Sequence, residues 1–354
     1  MDTLAAWYGE ERAAQTLARA RRFWAGQGRV LVSVQSNAHG YRQVFDDAKM
    51  VAGACAQLKV QAGLPGVNVP AVFADYGTIS TAKYWGGEVR GGKDGVNIYI
   101  EPAAQTLDEA LALVPRAVDD PALDAAHGVQ VFEAVRAALG GEHLWYRTVD
   151  MQGTLNTAGL VMNQEELMMA MYSEPAKVHV FLRKVCDFLI ELAAYQRQAT
   201  GGRVCGNIWP YAWFGQELGI SLTEDLMPLT STEIYQEFGI PYLKRLADHF
   251  GGALIHCCGN YGHHVKNLAE SGVPIRAIEF HHPATKIEEL APLAERGVVL
   301  IPYCMLHQEK GFARVTDYYR WLLKNTPAQY RYWFACAGEE AEFQEFAREF
   351  GAVD

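Results

Sequence analysis

Short apolar runs recur along this chain, each bounded by turn residues and separated by longer stretches, several of them amphipathic. Eight runs qualify as strands: Val30–Gln35, Ala71–Tyr76, Tyr146–Gly153, Arg203–Trp209, Ala253–Cys258, Ile275–Phe280, Val298–Tyr303 and Tyr330–Cys336. Runs of this length suit strands buried on both faces of a parallel sheet. Between them, Pro175–Thr200 repeats apolar residues at helical spacing, from Val178 and Phe181 through Leu189 and Leu192. Thr232–Phe250 is a second helical stretch, and Pro241 inside it predicts a kink or a division into two helices. Glu288–Arg296 and Val315–Lys324 follow the next two strands as helices. Strands alternating with helices predict a parallel sheet, and eight of them predict closure into an α/β fold of the (β/α)8 TIM-barrel type. Leu4–Gln27 predicts an N-terminal helical extension that caps or flanks the barrel. The Gly-rich segment Trp85–Leu113 fits neither period and predicts an irregular insertion over one mouth. No Pro/Gly/Ser linker divides the chain, so residues 1–354 read as one domain.

Composition narrows the partners. A formal net charge of −10, with no basic block interleaved with aromatics, argues against nucleic acid. No window approaches the length of an apolar membrane span, and the N-terminus lacks a basic region followed by an apolar core. Seven cysteines are too few and too scattered for a secreted disulfide framework, which points to a reducing cytoplasm with thiols available for metal.

In a barrel of this type the chemistry sits at the C-terminal strand ends. The fifth run ends His256-Cys257-Cys258-Gly259-Asn260, and residues two apart on a strand project to the same side, so His256 and Cys258 converge. The following ends carry Glu279, then Tyr303 and Cys304, then Cys336. His256, Cys258 and Cys336 form a nitrogen and two-sulfur set for Zn2+, and Glu279 is a weak fourth ligand that yields to substrate, as an open catalytic site requires. Cys304 competes with Cys336 for the same place. Zinc neutralised by two thiolates suits activation of a thiol, or withdrawal of electron density from an ether oxygen as a methyl group leaves. Asn207, Trp209, Tyr211 and Trp213 lie at and beyond the fourth strand end, either as an aromatic wall for a flat substrate or as a loop packed on the rim. Asp75 and Tyr76 end the second strand and are placed to orient polar groups of a substrate. Glu224 and Asp225 are either partners of a helix N-terminus or a general acid near the leaving oxygen. His263, His264, His281 and His282 are shuttle or solvated imidazoles near the metal.

These residues carry a resemblance. His-x-Cys-Gly-Asn at a strand end, with a Cys almost eighty residues later, resembles the uroporphyrinogen decarboxylase superfamily, and within it the zinc-dependent cobalamin methyltransferases. Val72-Phe-Ala-Asp-Tyr-Gly77, Tyr84-Trp-Gly-Gly87, Ile220-Ser-Leu-Thr-Glu-Asp225, Leu229-Thr-Ser-Thr-Glu233 and Pro241-Tyr242 follow the family's order. The resemblance implies zinc on His256, Cys258 and Cys336 with Glu279 labile. It also implies methyl transfer between a small donor or acceptor and the cobalt of a corrinoid (cobalamin). Val30–His39 holds no arginine, which disfavours the decarboxylase branch with its carboxylate-rich tetrapyrrole. No Asp-x-His-x-x-Gly motif is present, which places the corrinoid on a separate carrier protein. The rival expectations are a tetrapyrrole decarboxylase and a corrinoid- or metal-binding accessory protein without turnover.

Overall fold

The computed structural model describes residues 3–36, 47–91, 98–206, 211–308, 311–338 and 340–351, with the backbone alone at 35–36, 336–338 and 340–342. Its strands are β1 (Val30–Ser36), β2 (Ala71–Phe73), β3 (Glu88–Gly91), β4 (Ile98–Glu101), β5 (Trp145–Arg147), β6 (Val204–Cys205), β7 (Ile220–Thr223), β8 (Ala253–His256), β9 (Ile275–His282), β10 (Val299–Cys304) and β11 (Tyr332–Gly338). Six of them form one sheet in the order β1-β11-β10-β9-β8-β7, and β2-β5-β6 form another. Every pairing within these two sheets is parallel. A bridge between Gln152 and Thr223 joins the sheets on one side. On the other, Val67 N–H donates to the Val32 carbonyl at 2.7 Å. The result is an α/β, barrel-like arrangement whose strand ladder is not continuous among the described residues.

Strand alternation sorts the core into two layers. Leu31, Ala71, Trp145, Leu254, Ala277, Val299, Trp333 and Ala335 pack inward as one cluster. Their neighbours Val32, Val72, Tyr146, Ile255, Ile278, Leu300 and Phe334 pack outward against the helices. On β11 the alternation is plain: Phe334 stacks on Tyr319 of helix Val315–Asn325 at 4.1 Å, while Trp333 faces in and donates from Nε1 to Ser33 Oγ at 2.7 Å.

Several expectations are corrected. Ile220–Thr223 is a ninth parallel strand, and its polar Ser and Thr hide it from an apolar-run criterion. Of the fourth expected strand, Val204–Cys205 is strand and residues 207–209 lie outside the described residues; Gly206 N–H donates to the Phe214 carbonyl at 2.9 Å, so the chain has reversed by Phe214. Trp85–Leu113 is not irregular throughout: it holds the antiparallel β3–β4 pair and the whole of the helix Leu107–Ala112. The N-terminal extension is two helices, Leu4–Tyr8 and Glu10–Trp24, split where Gly9 takes φ +71°. The second seats on the interior cluster, with Trp24 Nε1 donating to the Trp213 carbonyl at 2.8 Å and its ring stacked on Trp333 at 5.5 Å. Pro241 divides its helix as expected: a π-helical segment Tyr235–Gly239 precedes Ile240–Phe250.

Beneath the loop that follows β8, His264 is completely buried and hydrogen-bonded through Nε2 to the Met227 carbonyl at 2.8 Å. Burial, reinforced by His263, depresses its pKa to about 4. The unfolded chain binds that proton near pH 6.5. Stability from the neutral ring is therefore present above pH 6.5 and lost as pH falls toward 4, by about 3 kcal/mol in full. Urea unfolding should show this loss in the wild type, and a flatter dependence over that range in His264→Phe. Equal slopes would remove His264 as the cause.

Candidate metal centre

Two strand ends and one turn converge at the C-terminal side of the larger sheet. His256 closes β8 and Cys258 follows two residues on; Glu279 and His281 repeat the two-residue spacing on β9. Asp225 comes from the turn after β7, where Glu224 N–H is held by the His256 carbonyl at 2.8 Å. Donor atoms of Asp225, His256 and Cys258 all lie within 4.8 Å of one another, as do those of His256, Glu279 and His281.

The two nitrogens of His256 face different groups. Nδ1 is hydrogen-bonded to Glu279 Oε2, while Nε2 lies 3.9 Å from Asp225 Oδ1. Glu279, fully buried, also takes a hydrogen bond on Oε1 from His281 Nε2 at 3.1 Å. Burial alone would raise the Glu279 pKa, but His256 and His281 outweigh it and hold the carboxyl below its ordinary value. His256 is displaced oppositely: burial disfavours its charge, and Glu279, Asp225 and Asp150 together raise its pKa. The Cys258 thiol is pushed up to about 12 by burial and by the Asp225 carboxylate, whose Oδ1 also accepts the Cys258 N–H at 3.0 Å. A metal binding here would displace protons from both side chains, so its affinity would fall with falling pH.

The donor set fits zinc. Bonds of about 2.0–2.3 Å in a tetrahedron place donor atoms roughly 3.5 Å apart, which the spacing of Asp225, His256 and Cys258 accommodates. A carboxylate on the far nitrogen of a ligating imidazole is the usual device for fixing ring and tautomer. With Nδ1 taken by Glu279, Nε2 is the nitrogen that would face an ion, with Asp225 as the oxygen donor in reach. Cys336 rides on β11 opposite Val34, and its side chain lies outside the described residues. Cys304 ends β10 opposite His282 and is buried, and Cys257 belongs to the outer core.

Further carboxyls surround the triad. Asp150, in the segment after β5, accepts from Thr223 Oγ1 at 2.9 Å. Burial raises its pKa to about 6, against the pull of His256 and with the help of Asp225 and Asp75. Burial likewise raises Glu224 to about 8, and Tyr235 OH donates to its Oε2 at 3.2 Å. Glu224 presses on Gly153, where an added Cβ would stand 1.9 Å from Oε1. Gly153→Ala is expected to cost about 1–3 kcal/mol in thermal unfolding. Adding Glu224→Ala should recover part of it; additive losses would mean the two positions do not collide.

The other expected site residues are placed differently. Asp75 joins the carboxyl group around Asp150 and accepts the Gly77 N–H at 2.9 Å. Tyr76 turns outward, its hydroxyl 2.6 Å from His127 Nδ1. Trp213 is fully buried against Trp145 at 5.2 Å, in the cluster that the N-terminal helix covers, and not at the mouth. Tyr211 lies with it, its carbonyl accepting from Ser33 Oγ at 2.6 Å and its ring 4.5 Å from the Arg147 guanidinium. Asn207 and Trp209 lie outside the described residues. Sequence reasoning missed Asp150 and Asp225's place in the donor set. Asp150 lies three residues short of the end of the third run, Tyr146–Gly153, away from the His-x-Cys signal.

Among solved structures, the chain matches a methyltransferase from Methanosarcina mazei with a TM-score of 0.64, at 12% identity, over 96% of this chain and 94% of that one. The likeness is one of fold. No family model matches the sequence, and no curated protein matches it.

Proposed function

We propose that this protein is a zinc-dependent methyltransferase that moves a methyl group between a small substrate and the cobalt of a corrinoid on a separate carrier protein. The two parallel sheets are read as the wall of a (β/α)8 barrel of the uroporphyrinogen decarboxylase type. The observation that carries the proposal is the convergence of Asp225, His256 and Cys258 at the strand C-terminal ends, with Glu279 on the other side of the imidazole. The fold shared with a methyltransferase supports it.

His256 and Cys258 would hold the zinc, with Asp225 or Cys336 completing the set and Glu279 orienting the ring. When bound, zinc would supply Lewis acidity at the heteroatom that releases or accepts the methyl group. Asp150 is suited to proton transfer there, since a pKa of about 6 lets it exchange a proton near neutral pH. Thr223 occupies Oδ1 of Asp150, which leaves Oδ2 to carry that proton. Glu224, raised to about 8, stays protonated at neutral pH and keeps a second negative charge away from Asp225.

The test is metal analysis of the purified protein, with methylation of a Co(I) corrinoid measured from methoxylated arenes and from methylated thiols. One zinc per chain and transfer from one substrate class are expected. Absence of zinc, or zinc without transfer from either class, would sink the reading.

A further inference from the structure

We draw no further inference here: the strongest candidate, the side-chain cluster of His256, Glu279 and His281 at the ends of β8 and β9, belongs to the metal centre already described, its one carboxylate being taken up by hydrogen bonds to both imidazoles.

Discussion

Replacing His256 by alanine is expected to take zinc from one ion per chain to near zero and methyl transfer to background. His256 is the one residue shared by both donor groups, so its loss leaves Asp225 and Cys258 on one side and Glu279 and His281 on the other with no nitrogen between them. Glu279→Gln makes the graded comparison. It keeps a hydrogen-bonding partner for Nδ1 but removes the charge, and outer partners of this kind cost about 10–100-fold in metal affinity when changed. Zinc affinity measured by chelator competition should therefore fall in the order wild type, Glu279→Gln, His256→Ala. If Glu279→Gln loses zinc as completely as His256→Ala, Glu279 is itself a ligand. If Asp225→Asn retains full affinity, Asp225 is not a ligand, and loss of affinity in Cys336→Ala would assign the third donor to that thiol.

Lys83→Met is expected to be the most damaging single change to stability outside the site. Asp124 is completely buried, and Lys83 Nζ lies 2.8 Å from its Oδ2 and 3.0 Å from its Oδ1. Removing one partner of a buried pair costs about 3–5 kcal/mol, because the other charge remains without compensation. Burial already raises the Asp124 pKa, and Lys83 is the main influence holding it down. Without the lysine the carboxyl rises further, so the variant's deficit should be full at neutral pH and shrink as pH falls and Asp124 protonates. Lys83→Met with Asp124→Leu should recover most of the loss. A deficit independent of pH, measured by denaturant unfolding, would mean that Lys83 acts through packing instead.

Much of the fold was legible because strand burial writes itself as apolar runs. Where a strand is short or carries hydroxyls the signal fails, and Ile220–Thr223, half of it Ser and Thr, makes no apolar run. The alternation rule that paired His256 with Cys258 applies equally to Glu279 and His281, so the second donor pair was readable. Asp225 was readable as a residue but not as a neighbour of Cys258, since the turn that brings it there depends on β7 lying beside β8. Tyr211 and Trp213 show the opposite limit. An aromatic run after a strand reads the same whether it lines a mouth or fills a floor, and only the reversal at Gly206 decides between them.

That reversal has a consequence for traffic. Trp213, Trp333 and Phe23 are buried together where the strands begin, with Trp24 laid across them. Among the described residues these indole rings close the floor of the interior, which leaves the side where the strands end as the approach to Asp150, His256 and Glu279. In the proposed reaction a small substrate and a corrinoid carrier would both approach from that side, so the order of their arrival becomes a property that kinetics can read.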